Sequence, residues 1–191
     1  SEFELSKFVV CSDSGLSSHE NRKLNDVQGR AFVTTQSLKK LPAFPTEWAL
    51  DTNGWRKPGD NTLYDLDTLD EEEDKNTTFY KERWIKEKDL EQRLIVSFSL
   101  KYRNYHRNIR EKHIIRAERL ITKTPGKLTQ ARQTDYKRLI NQTHVTLEGE
   151  IAEKVALSID EDKISSEAAY DGFYAVCTNL EDDVPEIIRI N

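Results

Sequence analysis

Asp13 closes a short apolar run, Phe8-Val9-Val10-Cys11-Ser12, and is followed at once by Ser14-Gly15-Leu16. A carboxylate at the carboxyl end of a buried strand, with a glycine turn after it, is where metal-dependent phosphoryl-transfer enzymes place a metal ligand. Magnesium prefers hard oxygen donors and sheds its waters reluctantly, so a lone carboxylate holds it weakly. Asp13 therefore needs partners. The alternative is an aspartate that only caps a turn or helix.

A second group of residues suits contact rather than chemistry. Lys101, Lys112, Arg116, Arg119 and Lys123 line up along a helical segment, beside its apolar stripe, with Tyr105 on the same strip. Such a row can track phosphates, each contact adding salt-dependent affinity. The alternative is an ordinary solvated face, with Glu111 and Glu118 nearby. Lys39 and Lys40 end the second expected strand and are expected near the face that carries Asp13. His113 reads as a packed or half-buried histidine, His19 as a weak candidate for a proton role, and Asn21 as a residue that could orient the Asp13 loop.

These residues need elements to position them. Phe8 to Ser12 reads as a buried strand, and Arg30 to Gln36 as a second. Between them lies a loop into a short helix, capped by Ser17 or Ser18 with Glu20 in its first turn. Strand, carboxylate, helical crossover, strand suggests part of an α/β sheet. Pattern is lost from Pro42 to Thr78, which Pro42, Pro45, Gly54, Pro58 and Gly59 punctuate. The acidic stretch from Asp65 to Asp74 reads as a solvated loop or frayed helix, with metal binding as the alternative, discounted because consecutive carboxylates do not converge without a scaffold. Two alternating runs, from Phe79 to Ile85 and from Leu94 to Leu100, make a hairpin across Lys86 to Glu91.

The segment 102–121 is the strongest helix, with Tyr102, Ile109, His113, Ala117 and Leu120 on one face and Pro125-Gly126 ending it. A weaker helix is expected over 127–141. Val155, Leu157 and Ile159 alternate as a strand; Asp160 to Lys163 reads as a turn, with Ile164 to Ala169 pairing back. Asp171-Gly172 reads as hairpin-turn chemistry. Phe173 to Thr178 is an apolar strand, and Asp182 or Asp183 caps a last helix before Pro185. The strands near Val10, Phe32 and Val176 read as pieces of one sheet.

Composition limits the classes. The chain has 191 residues, enough for one medium domain or two small ones. With 36% hydrophobic and 33% charged residues it is polar, yet able to form a core divided among small units. The net charge of -5 gives no global drive toward nucleic acid, so any such surface is a local patch. Cys11 and Cys177 read as two buried reduced thiols of an intracellular protein, and no cysteine or histidine spacing suggests zinc. No stretch nears the roughly 20 apolar residues of a membrane helix, and no signal peptide precedes the first strand, so no membrane partner and a cytoplasmic location are expected. The chain lacks methionine, starts almost on a strand and stops in a helical-looking segment, which fits an excised fragment, with Ser1-Glu2-Phe3 as a cloning remnant.

Four strings in order carry a resemblance. They are Val9-Val10-Cys11-Ser12-Asp13-Ser14-Gly15-Leu16 running on to Arg22, Ala31-Phe32-Val33-Thr34-Thr35-Gln36 running on to Leu41, Tyr170-Asp171-Gly172-Phe173-Tyr174-Ala175-Val176-Cys177-Thr178-Asn179-Leu180, and Pro185-Glu186-Ile187-Ile188. The series resembles the DDE transposases of bacterial insertion sequences, in the subgroup with a β-rich insertion in the catalytic domain. The resemblance implies an α/β (α+β) fold: a partial ribonuclease-H-like core over 1–41 and 167–191, with a mixed β/α insertion subdomain over 42–166. It implies DNA transposition, with Asp, Asp and Glu holding Mg2+ or Mn2+ at a scissile phosphate.

By the same resemblance Asp13 matches the second Asp. The first belongs upstream of this chain and the Glu downstream, within a Tyr, Arg, Glu, Lys signature. Glu186 lies ahead of where that signature falls and is rejected as the catalytic Glu. The fragment alone is thus expected to be inactive and to hold no metal. Transposon-end and target DNA are the expected partners. Related transposases insert an aromatic wedge into DNA, where a large π face offsets the unstacking. Trp84, between Arg83 and Lys86, is the candidate, with Trp48 and Trp55 as competitors and plain packing as the alternative for each. An isolated half sheet exposes unpaired edges, which invites swapping or a homodimer. A non-catalytic DNA-binding or scaffold module, and a regulatory protein with an acidic loop, stand as the other readings.

Overall fold

The computed structural model of the chain describes residues 8–27, 29–125, 128, 135–145 and 154–190. It is a mixed α and β protein that divides into two compact units, one of residues 1–102 with 172–191 and the other of 103–171.

In the first unit, β1 (Phe8–Ser12), α1 (His19–Leu24) and β2 (Arg30–Thr35) form a parallel strand pair with a helical crossover. α2 (Ala43–Leu50), β3 (Trp55–Lys57) and β4 (Asp60–Tyr64) follow, then the long pair β5 (Phe79–Glu87) and β6 (Leu90–Phe98). β9 (Phe173–Thr178) and α5 (Val184–Ile190) complete the unit. All seven strands make one sheet in the order β1-β2-β9-β6-β5-β3-β4, parallel at β1/β2 and antiparallel elsewhere. The three strands near Val10, Phe32 and Val176 are neighbours, as the sequence implied. Strands β3 to β6 join the same sheet rather than a separate one.

Side chains alternate across a strand, so the register assigns them to faces. Ala31, Val33, Ile95 and Val176 share one face, and Leu180, Val184 and Ile187 from the α5 segment close over it. On the other face Phe98 and Phe173 are register partners, and Trp55 packs on both, with ring centroids 5.0 to 6.2 Å apart. α1 is tied to that second face: Arg22 donates to Gln92 Oε1 at 2.9 Å and to Glu87 Oε2 at 2.8 Å.

The second unit holds most of α3 (Leu100–Lys123), a hairpin of β7 (Ile140–Val145) with β8 (Lys154–Ile159), and α4 (Glu161–Ala168). Among its described residues, Ala117, Leu120 and Leu139 are the buried apolar ones. Arg138 ties its pieces together, donating to both oxygens of Glu167 at 2.9 and 2.7 Å and to His113 Nδ1 at 3.0 Å.

Several expectations are corrected. The stretch 42–78 contains a helix and two strands; prolines at positions 42 and 45 start α2 rather than break it, since a first turn needs no N–H donors there. The helix expected over 127–141 is, in its described part, a 3-10 turn at Tyr136–Leu139 leading into β7; the rest lies outside the described residues. Ile164 to Ala169 does not pair back as a strand. Asp160 accepts from the Lys163 N–H and opens α4, so Asp-Glu-Asp is a helix start with acidic residues in its first turn. Asp171-Gly172 joins α4 to β9 rather than forming a hairpin, and Gly172 supplies the φ of 86°. Cys177 is buried but Cys11, on strand β1, is exposed. Tyr102, expected on the apolar face of α3, is 39% exposed.

Candidate functional site

Asp13 follows β1 directly, and β1 is an outer strand of the sheet among the described residues. Ser12 donates to Thr34 Oγ1 at 2.9 Å, which fixes the strand end against β2. Asp13 is exposed, and its backbone carbonyl accepts from the Leu16 N–H at 2.9 Å in a tight 3-10 turn, Ser14–Leu16. Ser18 caps α1 by accepting from the Asn21 N–H, and Asn21 Nδ2 donates to the Leu16 carbonyl at 3.0 Å. Asn21 therefore does orient the loop after Asp13. The turn and the cap hold the carboxylate at the carboxyl ends of β1 and β2, where open α/β sheets bind ligands.

A cavity of about 570 Å³ opens beside this loop. Gly15, Ser17, His19 and Arg22 line it from the loop and α1, Lys40 from the turn after β2, and Lys86 from β5. Lys39 and Lys40 sit on a 3-10 turn, Leu38–Lys40, rather than on the strand end, and both are exposed. The fold brings Lys40 to the same pocket as the loop after Asp13.

His19 Nε2 lies 2.9 Å from Asp89 Oδ1, and Lys23 pairs with the same carboxylate. The Lys23 hydrogen bond, with help from His19, holds Asp89 at about 2, well below the usual carboxylate value. Asp89 sits in the two-residue turn between β5 and β6, so α1 grips the hairpin tip.

The three tryptophans have different fates. Trp55 is fully buried, donating from Nε1 to the Asp51 carbonyl at 2.8 Å. Trp48 is partly buried, with Lys81 and Arg83 over its ring at 5.1 and 5.2 Å. Trp84 alone of the three is exposed, at 47%, opposite Arg93 in the β5/β6 register. It lines an open pocket of about 750 Å³ with Glu82, Glu91, Arg93 and Glu181. Glu82 and the Leu180 and Asp182 carbonyls already hold the Arg93 guanidinium.

Lys112, Arg116, Arg119 and Lys123 are exposed on α3 and fall within about 60° of one another at 3.6 residues per turn. Lys101 is exposed in the first turn of the same helix, within the first unit. His113 is half-buried; burial and the neighbouring Arg138 push its imidazole below the ordinary value, so the neutral ring accepts from Arg138.

Among the described residues no three His, Cys, Asp or Glu side chains gather to hold a metal ion. Asp13 supplies one oxygen-donor side chain. The residues that local patterns did not mark are Arg22, Gln92 and Glu87. No local signal marks an arginine on a short helix as the partner of two residues 65 and 70 positions away. Among the described residues no helix is long and apolar enough to cross a membrane. Compared with protein-family models, with curated proteins and with solved structures, the chain matches none.

Proposed function

We propose that this chain is part of a DDE-type DNA transposase and contributes Asp13 as one of three carboxylates that hold divalent metal at a scissile phosphate. The observation that carries this reading is the placement of Asp13, exposed at the carboxyl end of an outer strand that runs parallel to β2 through a helical crossover. The bound metals would activate the attacking oxygen and neutralise the leaving one. The finer fold assignment belongs to the same proposal: β1, α1, β2 and β9 as part of a ribonuclease-H-like core, and residues 42–166 as its insertion.

The test is cleavage by the protein with its neighbouring reading frame included. Magnesium-dependent nicking of transposon-end DNA should fall to background in Asp13→Asn while DNA binding persists. Undiminished nicking by that variant would overturn the reading. The 191-residue chain by itself should show no metal-dependent cleavage.

A second reading is supported by the exposed strip of Lys112, Arg116, Arg119 and Lys123. In it the chain binds DNA without catalysis, and affinity is indifferent to magnesium and to Asp13→Ala. Each lysine or arginine removed from the strip should then lower the salt slope by about one.

A further inference from the structure

Trp84, 47% exposed on β5, stands on the wall of the open pocket of about 750 Å³, whose lining lies within the first unit. β3 meets β5 only at Tyr80. Past that residue β5 is an outer strand among the described residues, and no strand flanks Trp84 on that side.

The charges around the ring do not cancel. Arg93, opposite Trp84 in the register, is fully engaged: Glu82 accepts from its Nε and pairs with its Nη2, and the Leu180 and Asp182 carbonyls accept from its Nη1. Successive side chains of a strand alternate, so Arg83 projects to the other face, where its guanidinium lies 4.7 Å from the Phe44 ring and 5.2 Å from the Trp48 ring. Lys86 is the register partner of Glu91, but the two form no ion pair. Glu91 and Glu181 remain, both exposed on the pocket lining and neither held by a hydrogen bond or ion pair among the described residues.

An indole face beside two unpaired carboxylates suits a cation. The negative face of the ring attracts positive charge, and tryptophan does so best among the aromatic side chains. The same carboxylates repel phosphate and so oppose stacking on a nucleic-acid base. A guanidinium fits better than an ammonium: it is planar, lies flat on the ring, and offers a fork of N–H donors to a carboxylate. The pocket is much larger than one guanidinium, which leaves room for the chain that carries it. Tryptophan and arginine are also the side chains that most often dominate binding between proteins.

We propose that the Trp84 pocket binds an arginine side chain of a partner polypeptide, with the indole as platform and Glu91 and Glu181 as the anionic partners. This goes beyond the transposase reading, stands without it, and gives Trp84 a role other than a wedge in DNA. The test follows the Trp84 indole N–H in nitrogen-correlated NMR spectra of the isotope-labelled chain, identified as the indole signal missing from Trp84→Phe. A short arginine–glycine peptide should move that signal and saturate it. Its twin with citrulline, which keeps the shape and loses the charge, should not. The chain carrying both Glu91→Gln and Glu181→Gln, with an unchanged circular dichroism spectrum, should bind the arginine peptide about fivefold more weakly.

Three results would overturn the proposal outright: no movement with the arginine peptide, equal affinity for the citrulline or a lysine twin, or unchanged affinity in the glutamine variant. Others would replace the occupant and overturn it equally. Saturation by free arginine amide at the affinity of the peptide assigns a small cation, and movement on diluting the chain alone assigns a second copy. Movement with a single-stranded oligonucleotide but not with the peptide assigns a base. None of these bears on the Asp13→Asn cleavage test, by which the transposase reading stands or falls.

Discussion

Arg110 holds Asp171 by two parallel bonds, Nη1 to Oδ1 at 2.7 Å and Nη2 to Oδ2. Asp171 is 7% exposed, and the carboxylate's hydrogen bonds raise the Arg110 guanidinium above its ordinary value. The pair ties α3 to the segment after α4 inside the second unit. Breaking one side of such a buried pair leaves the other charge uncompensated. Asp171→Ala should therefore lower unfolding stability by about 3–5 kcal/mol. Chemical denaturation of both single variants and the double variant checks this: the double variant should lie well above the sum of the two losses.

Trp55 and Trp84 should separate stability from binding. Trp55→Ala removes a fully buried ring from the Phe98 and Phe173 cluster and should cost about 3–5 kcal/mol. Trp84 is exposed, so Trp84→Ala should stay within about 0.5 kcal/mol in thermal or urea unfolding. If Trp84 stacks on a base, the same variant should lose DNA affinity at unchanged stability.

Lys81 makes stability depend on alkaline pH. Its side chain is buried beside Trp48 and Trp55, and its ammonium donates to the Asp51 carbonyl at 2.7 Å. Burial pulls it down from 10.5 to about 8, with Asp51 opposing weakly. Between those values the unfolded chain holds a proton that the folded chain has released, so stability from this group rises with pH. Below about 8 both states are protonated and the burial penalty is fully present. Urea midpoints for the wild type and Lys81→Met should converge as pH rises through this window if Met is the more stable at neutral pH. Parallel curves would contradict the linkage.

The two thiols should react at very different rates. Cys11 is exposed, whereas Cys177 is fully buried and burial pushes its thiol up to about 12. The thiolate is the reactive form. A thiol reagent at pH 8 should label one cysteine in the native protein and the second only on unfolding, and Cys11→Ser should abolish the fast phase.

Lys88 turns the β5/β6 hairpin at a φ of 56°, a left-handed conformation costing roughly 1–2 kcal/mol for a residue with a Cβ. Lys88→Gly removes that strain but gives back about 0.5–1 kcal/mol of backbone entropy. The variant should be more stable by up to about 1 kcal/mol, seen as a higher urea midpoint with an unchanged slope.

Strands of apolar and β-branched residues were legible. Phe8–Ser12 and Phe173–Thr178 have the bounds their side chains announce, and Ser18 caps α1 as its hydroxyl suggests. α3 was legible because Pro125 and a 3.6-residue repeat frame it. α4 was misread because its first turn, Glu161 and Asp162 after Asp160, is spelled like a loop. Only the bond from Lys163 N–H to Asp160 makes it a helix start. Of the candidate residues, the sequence placed Asp13 at the end of a strand, but it ranked the three tryptophans by neighbouring charge, which carries no information on burial.

Local pattern thus determined the strands, the long helix and the position of Asp13 after β1, since each depends on contacts within a few residues. The tertiary structure decided which tryptophan is exposed, that strands β3 to β6 extend the same sheet, and that His19, Arg22, Lys40 and Lys86 share a cavity. Those relations join residues tens of positions apart, and their free energy comes from burial and from pairing charges withdrawn from water. Neither quantity exists until the chain has closed on itself.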